Sequence, residues 1–575
     1  MTTDVEMSPR ELIVIAKPEA QLRVSTEGVA SLASMEVAPL DDLVMSMGLN
    51  MEPLFGFSEE RIIHEFASMA PLITPEARDL SIYYHVKAPD EELDDLASRM
   101  RQQNVIEAAY VKPPGEPPQA PDEPAELINE MLPTAEDAPP ATPDFTSHQG
   151  YLDPAPGGID ARYAWTKTGG TGTGINIIDL EWGWRFTHED ITQNQGGVVD
   201  GANSTSSNHG TAVIGEFSGD RNSIGITGIC PDARVSAISF TTIPTATAIR
   251  RAANRLRPGD IMLLEIHRAG PRHNFQPRSD QRGYVAIEWW PDDYAAIRYA
   301  TNRGIIVVEA AGNGREDLDE PIYDTNPAPP NGPFPSWWSN PYRRSPLDSG
   351  AIVVGAGAPP PGTHGRNHGP DRSRLDFSNY GSLVDAQGWG REVTTCGYGD
   401  LQGGVDPDLW YTDRFSGTSS ASPIVVGALG CVQGFNRANN KALLTPATAR
   451  SNLRNTGSPQ QDAPTRPATQ RIGNRPNLRE LIIDCFIASA AYGSDLAPEI
   501  QLLREFRDDV VLKSRYRRAF EKLLDVYYRF SPPVALRMEK DEAFKDVMRR
   551  TVVRPTVETL KALVRRMEST REKDR

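Results

Sequence analysis

The stretch FSGTSSASPIVVGA, Phe415–Ala428, sets four serines among glycine, threonine and alanine ahead of an apolar run. A serine hydroxyl is a poor nucleophile until a base takes its proton and a third group orients that base. It also needs donors aimed at the oxyanion that forms on the attacked carbonyl. The chain carries candidates for each part. His209, in SNHGTAVIGEFSG, precedes a small, apolar run suited to a buried helix. Asp179 ends the apolar strand of INIIDLEWGW. Asn313, in VVEAAGNG, follows another strand, beside glycines that admit a substrate backbone. SGTSSASP puts its serines at the opening of a helix, where free N–H groups and the dipole favour negative charge.

The elements that must hold these residues read as alternating strands and helices. Strands are expected at Gly174–Leu180, Asp232–Phe240, Asp260–Ile266, Gly304–Gly312 and Gly350–Gly357. The stretch Tyr284–Arg303, YVAIEWWPDDYAAIRYATNR, falls partly at helical spacing. Near-continuous apolar strands separated by helices imply a mostly parallel sheet covered on both faces. Functional groups of such sheets gather at the carboxyl ends of the strands, where Asp179 and Asn313 fall.

Each motif is modest alone, but the set in the order Asp, His, Asn, Ser is specific, and Asp-His-Ser is the chain order of subtilisin. The body resembles the subtilisin-like serine peptidases (family S8). HGTAVIG is similar to the family's histidine motif, AAGN to its oxyanion motif and GTSSASP to its serine motif; GGIDARYAW looks like the family's mature N-terminal segment. The resemblance spans roughly Gln149 to Pro476. It implies a three-layer α/β fold and a serine endopeptidase in which Asp179 orients His209 and His209 activates Ser419. Asn313 and the Ser419 N–H would hold the oxyanion, while Ser420 and Ser422 pack the helix.

Two departures stand out. Asp179 is followed by Leu180-Glu181-Trp182, where the family has Ser or Thr and then Gly; the downstream THEDI matches the family loosely and leaves His188 as a loop residue. In DIMLLEIHRAG the family has a serine and glycines that pair with extended substrate. The resemblance therefore makes Glu265, Ile266 and His267, with Ala310, Ala311 and Gly312, the candidate substrate-binding residues. Glu265 has two readings: a carboxylate selecting a basic side chain before the scissile bond, or a group that points away or is salt-bridged.

Four regions are expected: an N-terminal α+β domain (1–112), a linker rich in proline and acids (113–148), the peptidase body (149–480) and a helical C-terminal domain (481–575). The head closes on a β-α-β pattern, Leu80–Pro113, that looks like the end of a subtilisin-type propeptide. It is either an inhibitory region cleaved from the body between Lys112 and Gly150 or a permanent accessory domain. Ten prolines lie between Pro113 and Pro143, so that stretch is expected to be extended and to form no sheet. CFIASAAYGSDLAPEIQ, with Cys485, resembles the CFI-box C-terminal domain, a candidate for docking an unknown partner; Cys485 itself reads first as a small buried hydrophobe. The tail is basic, with 20 Lys and Arg against 13 Asp and Glu over 501–575.

A net charge of −17 excludes general nucleic-acid binding. No apolar run reaches membrane-spanning length and no signal peptide opens the chain, so a cytoplasmic location is expected. The four cysteines are scattered, which suits a reducing compartment. Asp317, Asp319 and Glu320 lack the spacing of a calcium loop, and no metal or other cofactor is required. The competing functions on the same fold are a catalytically silent binding module and an esterase or transacylase.

Overall fold

A computed structural model of the chain describes residues 7–25, 28–56, 80–118, 141–482, 538, 541–559 and 561. Residues 1–478 form one compact unit and 479–575 a second. In the second, the described part includes a helix at Glu542–Met548. The CFI-box stretch, Cys485 and the amphipathic run before the double proline at 532–533 lie outside the described residues.

The head contains β1 (Glu11–Ala16), the hairpin β2 (Leu22–Ser25) and β3 (Gly28–Ser31), α1 (Ala38–Ser46), β4 (Asn50–Pro53), β5 (Tyr83–Lys87), α2 (Leu93–Arg101) and β6 (Ile106–Lys112). The β-α-β pattern read from sequence is β5-α2-β6. Acids open α2 and arginines close it, as the helix dipole favours, and its Leu93, Leu96, Ala97 and Met100 face inward. The two strands are not neighbours. β1 lies between them, antiparallel to both, in the order β4-β5-β1-β6.

Beyond β6 the chain makes β7 (Gly115–Glu116), which adds to the body as an edge strand. This corrects the expectation that the proline-rich stretch forms no sheet. Gly115 and Glu116 keep their N–H groups between two proline pairs, and an edge strand needs only one row of bonds.

The body holds β8 (Asn176–Glu181), β9 (Gln195–Asp200), α3 (Asn208–Ser218), β10 (Arg234–Ser239), α4 (Thr245–Arg255), β11 (Ile261–Leu264), β12 (His267–Ala269), β13 (Tyr284–Ala286), α5 (Pro291–Asn302), β14 (Ile306–Ala310), β15 (Ile352–Gly357), β16 (Ala386–Trp389), the pair β17 (Val393–Cys396) and β18 (Tyr411–Phe415), α6 (Thr418–Ala438) and α7 (Pro446–Asn455). Seven strands form a wholly parallel sheet in the order β16-β15-β14-β11-β8-β10-β9. α3 packs on α6 and α4 on α5, giving the three-layer α/β architecture expected. The five strands anticipated are present. The two missed, β9 (QGGVVD) and β16 (AQGW), are the sheet edges, where glycine and polar residues weaken the apolar signal. In the stretch Tyr284–Arg303, Tyr284–Ala286 pairs with β12, Ile287–Trp289 makes a 3-10 turn and the α-helix starts at Pro291.

The head docks on α4 and α5 through buried polar contacts. The Thr247 hydroxyl donates to the Leu54 carbonyl, and Arg250 donates to the Phe55 carbonyl at 2.6 Å. Lys112, wholly buried, reaches Asp292 at 2.6 Å, Asp293 at 2.9 Å and Glu11 at 3.2 Å. Arg268 adds an ion pair to Glu11 at 2.7 Å and donates to the Pro113 carbonyl.

Candidate active site

Parallel topology brings the ends of β8, β11 and β14 together with the first turns of α3 and α6. Side chains two apart on a strand share a face, so Asp179 and Glu181, at the end of β8, point the same way. Both are buried. Glu181 Oε2 lies 2.7 Å from His209 Nδ1. Asp179 Oδ2 accepts from the Trp184 indole N–H at 2.7 Å. The residue facing the histidine is therefore Glu181, whereas sequence reasoning assigned Asp179. Glu181 was legible as the second carboxylate of an i, i+2 pair at a strand's carboxyl end.

Packing explains the arrangement. A Cβ on Gly210 would lie 2.4 Å from the Gly183 carbonyl and 2.7 Å from the Trp184 ring, so only glycine lets α3 press this close. The approach seats Trp184 over Asp179 and brings the His209 ring to Glu181. Phe415 meets that ring edge-on at 5.5 Å. His209 Nε2 has no hydrogen-bond partner among the described residues.

Burial pushes the Asp179 carboxyl well above the usual range, and the neighbouring Glu181 pushes it further. Burial also raises Glu181, and the contact with Asp179 works against that rise. Two adjacent buried carboxylates resist ionising together, and their mutual contact raises Asp179 while it lowers Glu181. Burial lowers His209 itself to about 4.

Ser419 is the second residue of α6, behind Gly417 at φ 114°. Its Oγ is buried and, among the described residues, makes no hydrogen bond of regular geometry; the Glu265 carboxyl is the polar group that interacts with it. The other helix serines are committed: Ser420 donates to the Trp389 carbonyl at 2.9 Å, and Ser422 to the Thr418 carbonyl at 2.8 Å and to Glu265. Asn313 is tied to the same helix, its Oδ1 accepting from the Thr418 N–H and hydroxyl, both at 3.0 Å. Its Nδ2 donates to Gln281 Oε1 at 3.2 Å.

The structure places the predicted substrate-binding residues along one wall. Glu265 is fully buried against α6, and burial raises its carboxyl well above the usual range. It faces the first turn of the helix, where the Ser422 and Ser419 hydroxyls lower it against that rise. Ile266 underlies β7; a Cβ on Gly115 would lie 2.5 Å from its Cδ1. His267 pairs with Glu116 and Arg268 with Gly115. His267 Nδ1 accepts from the Asn313 N–H at 3.3 Å, and burial keeps its ring neutral. Ala310 ends β14, the Ala311 carbonyl accepts from Asn379 at 2.7 Å, and Gly312 sits at φ 91° with its carbonyl on the Asn379 N–H.

Gln281 was missed, since nothing in its local sequence marks it. It bridges Asn313 and the Pro117 carbonyl, the latter at 3.3 Å. His188 bonds the Trp410 carbonyl at 2.8 Å, a loop contact. Asp319 accepts from the Ser382 N–H and hydroxyl, and Glu320 pairs with Arg272.

Comparison with known proteins identifies the family. The model of the subtilase family (Peptidase_S8) matches residues 185–474, half of the chain, a span that includes His209, Asn313 and Ser419. A thermophilic serine proteinase from Bacillus sp. (strain AK1) is 28% identical over 315 residues, 51% of this chain and 61% of that protein, so the match leaves over a third of that relative uncovered. Thermitase from Thermoactinomyces vulgaris is 27% identical over 328 residues, 53% of this chain and 90% of that one. The solved structure of an epidermin leader peptide processing serine protease from Staphylococcus aureus overlays 83% of this chain and 98% of its own, with 15% identity and a TM-score of 0.46. The family match, set on a seven-stranded parallel sheet with a histidine, an asparagine and a helix-opening serine at its carboxyl edge, means that the chain belongs to the subtilase family of serine peptidases.

Proposed function

We propose that this chain is a serine endopeptidase with Ser419 as nucleophile, His209 as base and Glu181 as the carboxylate that orients the base. The observation that carries the reading is the pairing of His209 Nδ1 with Glu181 while, among the described residues, Nε2 has no hydrogen-bond partner. Ser419 Oγ attacks the scissile carbonyl carbon and its proton passes to His209 Nε2. Glu181 stabilises the imidazolium, and Asp179, holding a proton of its own, hydrogen-bonds Glu181. The oxyanion is held by the Ser419 N–H and by Asn313 Nδ2 once that amide leaves Gln281. His209 then gives its proton to the leaving amine as the C–N bond breaks. Water repeats the sequence on the acyl-enzyme and frees Ser419.

The N-terminal region is autoinhibitory in this reading. β7 pairs antiparallel with β12, where an extended substrate would add a strand. Pro117 and Pro118 lack the N–H groups that would continue the ladder. Meanwhile Gln281 holds both Pro117 and the amide of Asn313.

The test is fluorophosphonate labelling and intact mass of the full chain beside Ser419→Ala. Labelling of the wild type alone supports Ser419 as nucleophile; labelling of neither overturns it. A cut between Lys112 and Gly150 in the wild type only would show self-processing; an uncut wild type that still labels would show a permanent inhibitory head. Turnover of esters but not peptides would move the reading to an esterase.

A further inference from the structure

A second cluster lies away from Ser419 and has no part in the chemistry above. His148, His364 and Asp413 each offer a ligand atom, and those atoms lie within 4.8 Å of one another. They come from three separate segments: the entry to the body, the turn Thr363–Gly365 and strand β18. Among the described residues His148 Nδ1 is buried with no hydrogen-bond partner. The His364 ring lies beside it: its Nδ1 faces the Asp413 carbonyl at 3.0 Å and its Nε2 faces the His148 carbonyl at 3.2 Å. A neutral imidazole carries one N–H, so it donates to one of the two. The Thr394 hydroxyl also reaches the His148 carbonyl at 3.2 Å, so the other ring nitrogen keeps a lone pair to give.

A further carboxylate adjoins the cluster. Glu392 lies beneath, its side chain almost wholly buried, with Oε2 at 3.7 Å from His364 Nδ1 and without a hydrogen-bond partner. Its other oxygen is taken by His368 at 2.7 Å and Arg366 at 3.3 Å. Arg414 approaches Asp413 only to 3.7 Å, leaving that carboxylate lone pairs to give. The cluster borders a cavity of about 480 Å³ lined also by Ser147, Asp153, Pro154, Pro360, Thr363 and Trp389, through which an ion and its water ligands could enter.

We propose that His148 Nδ1, His364 and Asp413 bind a divalent transition metal of the zinc class, with Glu392 as the adjoining carboxylate. Two imidazoles and a carboxylate suit that class rather than calcium or magnesium, which take oxygen ligands. Bonds of about 2.1 Å set tetrahedral donors about 3.4 Å apart, so the side chains close inward by about an ångström on binding. Metal ligands of this kind bind without their protons, so affinity rises with pH. The bound ion staples the segment around His148 to β18, the strand that leads through Ser416 and Gly417 to Ser419.

The experiment uses the full chain carrying Ser419→Ala, which removes self-digestion, stripped with a chelator. Zn²⁺ is titrated by calorimetry, Co²⁺ by its visible absorption, and Tm is read with and without Zn²⁺. One saturable equivalent, a tetrahedral-type cobalt spectrum and a raised Tm are expected. His148→Gln and His364→Ala should each weaken binding by more than the roughly 10–100-fold that loss of an outer-shell partner costs. Glu392→Gln should fall within that range. Absence of saturable binding would overturn the proposal. Binding unchanged in both histidine variants would overturn it too, placing the ion elsewhere. Should His364→Ala fail to fold, His148→Gln, at a partly exposed residue, decides alone.

Discussion

Glu181 Oε2 sits 2.7 Å from His209 Nδ1, while Asp179, two residues earlier on the same strand face, is turned to the indole of Trp184. The carboxylate in contact with the base and the carboxyl behind it therefore have different work, and substitution separates them. Glu181→Gln should lower kcat by about 10³–10⁴-fold, as expected when the group that sets the histidine tautomer is lost. Asp179→Asn keeps a neutral donor beside Glu181 and should cost about 10–100-fold, an outer-shell effect. Fluorophosphonate labelling rates and kcat on one peptide substrate measure both. A reversed order would return the orienting role to Asp179.

The acid limb of activity should lie low. His209 acts as a base only when neutral, and burial depresses it to about 4. The kcat/KM profile of a small peptide amide should hold down to about pH 5 and fall by pH 4; a limb near 6.5 would contradict the burial argument. Stability carries the same sign. The unfolded histidine takes a proton near 6.5 while the folded one resists it until about 4, so this residue's contribution is full above 6.5 and is lost as pH falls toward 4. His209→Gln should remove that part of the pH dependence of unfolding.

Lys112 is the charge on which the head's seat depends. Lys112→Ala would leave Asp292 and Asp293 buried without their cation. Breaking such a group from one side costs about 3–5 kcal/mol. Denaturant unfolding of the Ser419→Ala chain and of the double variant measures it. A loss under about 1 kcal/mol would mean that water replaces the lysine.

The contact of β7 with the body can be broken more locally. Gly115→Val places a Cβ 2.5 Å from Ile266 Cδ1 and 3.0 Å from the Ser8 hydroxyl. Overpacking of this kind costs about 1–3 kcal/mol. Here it falls on the docked state only, so the open groove gains up to about 100-fold in population. Turnover of a short peptide should rise accordingly, with Ser419→Ala silent in either background. An unchanged rate would show that β7 does not limit access.

The division between sequence and tertiary structure follows from the range of the forces involved. Apolar runs at strand length are local, so the parallel sheet was readable along the chain; His209 and Asn313 stood out as candidates beside small residues, and the choice of Ser419 among four serines came from the resemblance of GTSSASP to the subtilase serine motif. Glu181 was half readable: strand periodicity put two carboxylates on one face. Choosing between them required Gly183 and Gly210, whose close approach seats Trp184 over Asp179. Gln281, the edge strand at Gly115–Glu116 and the Lys112 cluster were invisible in sequence. Their partners lie 32, 151 and 180 residues away in the cases of Asn313, His267 and Asp292, and nothing local marks which distant group will meet them. Chemistry of this kind is written in residue types, but which carboxylate serves the histidine is settled only when α3 closes on the end of β8.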